Sequence, residues 1–338
     1  MRVRVLKETV VVRKADYKDL ENIQNFLSRE WPLTREYYEY YHVINGNLMF
    51  VIGEGESSKK IYGVCGLIIT NREKITNYQL ALLLVDKNNN GFNSISLIHY
   101  IANKLESKSV SACGVRPKAL IIYEFLGYKT GKMNHFYKLA DKEHYNVAVI
   151  NEKRFKTSQF GNLKLKHIQS FEELGKLYNF DQNKKANPYK DAWCIKHRYF
   201  DSVYHKYKVY LIENQNGANR SIIVMREINN YGTTICKIVD FIGYDSELAG
   251  IGGELDRLMK ENDYEFMDFY SVGIDKNIME QAGFIERTPE DKNIIPHLFE
   301  PFIQINRDIY YFTNNPKDFH IYRGDSDQDR PVKEYNNN

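Results

Sequence analysis

One arrangement occurs twice along this chain: a long strand, a glycine-containing turn, an amphipathic helix, a second strand, and a short helix closed by Gly and an aromatic residue. The first copy runs from Asn88-Asn89-Asn90-Gly91-Phe92-Asn93 to Gly127-Tyr128, the second from Glu247-Leu248-Ala249-Gly250-Ile251-Gly252-Gly253 to Gly283-Phe284. Gly91 and Gly250 stand 159 positions apart, and Gly127 and Gly283 stand 156 apart. Two further landmarks keep nearly the same offset, Ile52 with Ile212 (160) and Leu20 with Leu174 (154). A period this long means duplicated domains, because solenoid repeats are several times shorter. A chain of 338 residues, 43% hydrophobic, is large enough for two packed cores.

The 47 basic and 44 acidic residues leave a net charge of only +3, which offers no general attraction to nucleic acid or anionic lipid. An anionic ligand must therefore be held by a local site. Cys65, Cys113, Cys194 and Cys236 lie far apart without zinc-ligand spacing and read as reduced, interior thiols. No apolar leader occupies Met1 to Val12, and nowhere do 18 apolar residues run together, so a cytoplasmic protein that does not insert into membranes is expected.

Each copy opens with a strand and a capped helix. Val10 to Arg13 precedes Asp16 and Asp19, a capping-box pair ahead of Leu20, Ile23 and Phe26. Leu163 to Ile168 precedes Ser170 and Glu173, ahead of Phe171, Leu174 and Leu177. Matching hairpins follow, Leu48 to Gly53 with Ile61 to Thr70, and Val209 to Glu213 with Ser221 to Ile228. A long strand then leads into each turn, Tyr78 to Val85 and Thr233 to Ile242. The next helices carry Leu97, Ile101 and Leu105, or Leu255, Leu258 and Met259, and are followed by strands at Val110 to Gly114 and Phe266 to Val272. The expected division is one domain over 1–145, a linker over 146–160, a second domain over 161–313 with a last strand at Asp308 to Phe312, and a polar, acidic tail over 314–338. The extreme end, Asn336 to Asn338, reads as frayed.

A glycine turn between a strand and a helix points backbone N–H groups outward at the positive end of the helix dipole, a geometry that accepts phosphate. Neither turn is a Walker loop, and Gly250-Ile251-Gly252-Gly253-Glu254-Leu255 does not fit the dinucleotide fingerprint. In order and content each copy resembles the GNAT superfamily of acyl-CoA-dependent N-acyltransferases. That family carries a glycine turn after a long strand and, further on, a Tyr-Glu-x-x-Gly-Phe-like ending. Tyr123-Glu124-Phe125-Leu126-Gly127-Tyr128 matches the ending well, whereas Met279-Glu280-Gln281-Ala282-Gly283-Phe284 lacks the tyrosine. The second copy has the better glycine turn; in the first, Asn88 and Asn93 depart from the pattern, as Glu247 does in the second.

The resemblance implies an α/β fold with a mixed sheet: two GNAT-like domains in tandem, each a mostly antiparallel twisted sheet flanked by helices. It also implies acetyl-CoA or another acyl-CoA as cofactor, held by Phe241, Ile242, Glu247, Ala249, Gly250, Ile251, Gly252 and Gly253 in the second copy, with Asn90, Gly91, Phe92 and Asn93 as the counterparts in the first. The better glycine turn places the working site in the second copy, so Gly252→Asp is expected to abolish cofactor binding in a folded protein. Acyl transfer needs a neutral amine, donors for the oxyanion and a proton for the thiolate. Asp240, an acid among apolar strand residues, is the candidate base; Tyr123 is the candidate acid, and His320 is a further catalytic candidate.

Trp193, Arg198 and Tyr199 lie where this superfamily builds its acceptor pocket and suit a hydroxyl-rich ligand, with Asp325 and Asp327 of the tail as further contacts. The stretch from Asp325 imitates the start of an EF-hand but lacks Gly at its sixth position and Glu at its twelfth, so no metal is expected. The expected function is N-acylation of a small-molecule amine, an amino sugar or its nucleotide-linked form, by a protein for which a homodimer is compatible. The alternatives are a Fem-type aminoacyl or peptidyl transferase and a non-catalytic GNAT-like binding protein.

Overall fold

The computed structural model describes residues 1–4, 8–86, 91–159, 161–214, 219–299, 302–327 and 329. The chain forms two compact units, one of Met1–Thr130 with Tyr311–Pro316, the other of Gly131–Tyr310 with Lys317–Asn338. Each unit is built on a mixed sheet flanked by helices, the architecture expected from the duplicated pattern.

In the first sheet the strand order is Arg2–Arg4, Thr9–Lys14, Phe50–Gly55, Ile61–Ile69, Thr76–Val85, Ser107–Val115, Tyr310–Thr313 and Lys129–Lys132. Alternating and continuous apolar runs explain these strands, and Asp16 N donating to the Asp19 carboxylate at 2.8 Å starts the following helical segment as the capping pair predicts. The strands Thr76–Val85 and Ser107–Val115 run parallel, and their pairing stops at Gln79 opposite Ser111. Just beyond, Gly66 pairs with Ala81 while Val64 pairs with Leu84, so the longer strand bulges at Leu82, whose φ is +51°. A bulge bends its strand, and here it turns the chain away from its parallel neighbour. The helix Ser94–Lys104 follows, with Asn93 in extended conformation as its first capping residue. Phe92 anchors this turn: its buried ring fills the space where Gly53 and Gly63 have no side chain.

The second sheet repeats the order with Lys164–Ile168, Lys208–Glu213, Asn219–Asn230, Thr233–Ile242, Tyr264–Val272, Asn134–Leu139 and Ile285–Glu286. The parallel pair is now Thr233–Ile242 with Tyr264–Val272. Its pairing stops at Ile238 opposite Phe269, with a bulge at Val239. Ser170 caps the helix Phe171–Leu177 by accepting from Glu173 N at 3.1 Å. Gly127 (φ +76°) and Gly283 (φ +85°) end their short helices in the left-handed conformation, as read from the sequence. The four cysteines are buried free thiols.

Two strands were not anticipated in these places. Asn134–Leu139, which the pattern assigns to the end of the first copy, pairs with Tyr264–Val272 in the second sheet, and the short strand Ile321–Tyr322 joins the other side of Tyr264–Val272. The aperiodic stretch after Asp141 is also held in place: Glu265 accepts from the backbone N–H groups of Asn146, Val147 and Ala148 at 2.7–2.9 Å.

Candidate functional site

Each unit thus contains one place where two parallel strands part beside a glycine turn, and the two places differ in what occupies them. In the second unit the opening is closed by the chain itself. Tyr322 stacks on Phe269, its ring centroid 5.4 Å away, and Ser271 and Val272 pair with Tyr322 and Ile321. Gly324 N donates to the bulged carbonyl of Val239 at 2.6 Å. A side chain at Gly324 would meet that carbonyl and the Tyr199 hydroxyl, so only glycine passes here. The tail read from composition as polar and acidic is therefore interior over Ile321 to Asp327, whereas Pro316, Lys317 and Asp318 are exposed; Asp325, Ser326, Asp327 and Asp329 are all buried. The frayed end expected at Asn336 to Asn338 lies outside the described residues.

Four of the residues singled out in the sequence, with Lys190, surround those buried charges. Asp240 accepts from Lys190 Nζ at 2.6 Å, from Phe241 N at 2.8 Å and from the Tyr199 hydroxyl. Lys190 also pairs with Asp325 at 2.9 Å, and Asp325 accepts from Tyr322 N at 2.8 Å. Arg198 donates to the carbonyls of Ser326 (3.0 Å) and Gly324. Burial pushes the Asp240 carboxyl up, against Lys190, which pulls it down. Burial opposes the Lys190 charge, but Asp240 and Asp325 lift its pKa above the ordinary lysine value. Asp240, Tyr199, Arg198 and Asp325 do come together, and the tail is held among them through Arg198 and Lys190. Lys190, the cation at the centre of the cluster, carried no sequence signal.

His320 sits apart from that cluster, its Nε2 2.9 Å from Asp245 Oδ2. Burial lowers its pKa, but the Asp245 carboxylate outweighs that and leaves it raised. A raised histidine pKa stabilises the fold fully below the unfolded value of about 6.5, and that contribution is lost as pH rises through the folded value. His320→Gln should therefore be destabilising near about pH 5.5 and close to neutral near about pH 8.5. Urea unfolding at both pH values checks this, and a pH-independent difference would rule the ion pair out. Trp193 stacks on the His197 ring (5.2 Å). Asp327 is buried in the same tail segment.

The glycine turn of the second unit is likewise covered. A Cβ on Gly250 would lie 2.5 Å from the Leu163 side chain, and one on Gly252 would lie 2.5 Å from Ser158 Oγ and 3.0 Å from the Ala282 carbonyl. Leu163 N donates to the Gly250 carbonyl at 3.2 Å. These glycines, with buried Ala249 and Ile251, serve close packing of Ser158 and Leu163. Gly252→Asp would consequently disturb the fold itself, contrary to the expectation that it reports cofactor binding cleanly. Phe241 and Ile242 are buried, and Glu247 is buried against Arg220, with an oxygen 2.7 Å from Nε.

In the first unit the matching surfaces are open. Among the described residues no segment pairs with Thr76–Val85 beyond Gln79 on the side facing Ser107–Val115. Leu83, Leu84 and Val85 are half-buried and Gly114 is exposed, where their counterparts in the second unit are buried. Gly91 (φ +110°) has open space where a Cβ would stand, and Asn93 is exposed at the helix start. Asn90 lies outside the described residues. Tyr123, on the short helix after the second splayed strand, is a buried ring stacked on Phe312 at 3.7 Å. Burial, with a smaller contribution from Cys65, pushes its hydroxyl well above the ordinary tyrosine pKa.

A mixed sheet that bulges and splays at a parallel pair, twice in one chain, is the fold of GNAT-like N-acyltransferases. Solved structures bear out that likeness. A GCN5-related N-acetyltransferase from Anabaena variabilis superimposes with a TM-score of 0.56 at 12% identity, over 90% of this chain and 72% of that one. A probable N-acyltransferase from Enterococcus faecalis gives a TM-score of 0.54 at 9% identity, over 90% of this chain and 72% of that one. No protein-family model matches the chain, and no curated protein matches it in sequence. No helix among the described residues is long and apolar enough to cross a membrane.

Proposed function

We propose that this chain is an acyl-CoA-dependent N-acyltransferase whose first unit holds the acyl-CoA and whose second unit has given up that role. The observation that carries the assignment is the tail in the second unit. It shows what the gap between the splayed strands accepts: an extended segment bearing amides, which hydrogen-bonds the bulged strand as an added strand would. The pantetheine arm of coenzyme A is such a segment. The first unit has the same gap with no described segment of chain in it, beside an open helix N-terminus able to face a diphosphate.

In this reading the thioester lies along Leu80–Val85, where backbone groups released from strand pairing by the bulge can donate to the carbonyl oxygen as it becomes an oxyanion. A neutral amine attacks the thioester carbon and the C–S bond breaks. Tyr123 gives its proton to the departing thiolate, for which a hydroxyl kept protonated by burial is suited, and the proton that the amine nitrogen sheds as the amide forms passes to solvent, from which the tyrosine is reprotonated. The acceptor is a small amine. Of the residues that suggested an amino sugar, Arg198 is engaged by the tail and Tyr199 by Asp240, so that finer reading rests on Trp193 and on sequence resemblance.

Two matched substitutions test the assignment of the units. Asn93→Asp keeps a good helix-capping residue but sets a carboxylate beside the expected diphosphate, and should weaken coenzyme A binding by about tenfold, roughly 1.4 kcal/mol. Gly253→Asp lies at the exposed glycine of the otherwise covered equivalent turn, where a Cβ comes no closer than 3.7 Å to another atom, and should leave affinity unchanged. Calorimetric titration with coenzyme A in which only Gly253→Asp weakens binding would return the site to the second unit.

A further inference from the structure

Within the tail segment, on the side of the second sheet that carries Lys237, one arginine is buried without a partner among the described residues. Arg323 is 8% exposed, yet it takes no ion pair or hydrogen bond among the described residues, and its Nε is a buried donor without an acceptor. It follows Tyr322, whose partner in the register is Ser271, so it stands opposite Tyr270. The Tyr270 ring contacts a second such group. The His297 ring lies 5.3 Å from it, is 4% exposed, and leaves Nδ1 buried without a partner.

The neighbouring carboxylates are already taken. Asp268 gives both oxygens to Lys237 at 2.8 Å, and its Oδ2 also lies 3.1 Å from His135 Nε2. Asp329 is close enough for Arg323 to lower its pKa, but its oxygens accept from Arg226 and from Tyr207 at 2.6 Å. An arginine cannot shed its charge as a lysine can, so burying it without an acceptor is costly and is explained if a ligand supplies one. Burial and the cations around it, Arg323 first, push the His297 pKa far down, which keeps that ring neutral with one N–H to donate.

We infer that Arg323 and His297 form a binding site for an oxyanion, the phosphate or carboxylate group of a small ligand, in the second unit. The guanidinium supplies charge and directed donors, the imidazole a neutral donor, and Tyr270 a wall between them. The site does not depend on where acyl-CoA binds.

Thermal unfolding and calorimetric titration of the full chain test it, with inorganic phosphate and sodium acetate compared against sodium chloride at matched ionic strength. Wild type should be stabilised by one oxyanion beyond chloride, and the effective anion tells a phosphoryl from a carboxylate ligand. Arg323→Met should raise the midpoint without anion, because it removes an uncompensated charge, and should cut the anion affinity at least about tenfold. His297→Gln should weaken it several-fold, and serves alone if Arg323→Met does not fold. A wild type that answers to neither anion beyond chloride, or variants that respond like wild type, would overturn the site.

Discussion

Asp240→Ala is expected to destabilise the protein by about 3–5 kcal/mol, because it removes one of two carboxylates from a buried lysine. Lys190 would keep Asp325, and the Tyr199 hydroxyl would lose its acceptor inside the core. Both effects loosen the segment around Gly324 that bridges the parted strands. Asp240→Asn, which keeps the shape and one acceptor oxygen, should cost less. The double variant Asp240→Ala with Lys190→Met should be less destabilised than the two single losses added, since Lys190→Met alone strands two buried carboxylates and the double variant strands only Asp325. Urea denaturation of the four proteins measures this cycle. The outcome also separates two roles for the residue: a general base at a working centre would show a large loss of turnover with little change in stability, whereas a tail anchor shows the reverse. A cost below about 1 kcal/mol for Asp240→Ala would mean that the cluster does not hold the tail.

The duplicated sheets could be read from the sequence because their signals are local. Apolar runs place Ile61–Ile69 and Thr233–Ile242, capping residues place the helices at Leu20 and Phe171, and left-handed glycines end the helices at Gly127 and Gly283. Strand partnership is not local. Nothing in Asn134–Leu139 says that it will pair with Tyr264–Val272, and the two residues Ile321–Tyr322 are too short to carry a period. The second unit's glycine turn misled for a physical reason. A glycine permits close approach of anything, and Gly250 and Gly252 admit Leu163 and Ser158, where a ligand was expected. The acidic tail misled in the opposite way: its charges look solvated in a list of residues, but Lys190 and Arg226 pair with them in the interior, each isolated in its own stretch of sequence.

Tyr123→Phe should reduce turnover with an amine acceptor by about 10²-fold or more while leaving coenzyme A affinity and unfolding midpoint nearly unchanged. The ring is what packs: Phe312 stacks on its face, and the hydroxyl contributes no hydrogen bond among the described residues, so phenylalanine fills the same space. What phenylalanine lacks is a proton for the thiolate, and a step that needs this proton should slow by about 3 kcal/mol of barrier for each hundredfold. The choice of acyl donor sharpens the test. A thioester with a more acidic leaving thiol needs less protonation, so the gap between wild type and variant should narrow with such a donor and widen with an ordinary alkyl thioester. Steady-state and single-turnover assays on both donors measure it. Equal turnover by wild type and Tyr123→Phe on an alkyl thioester would remove this residue from the chemistry, even if coenzyme A still binds beside Asn93.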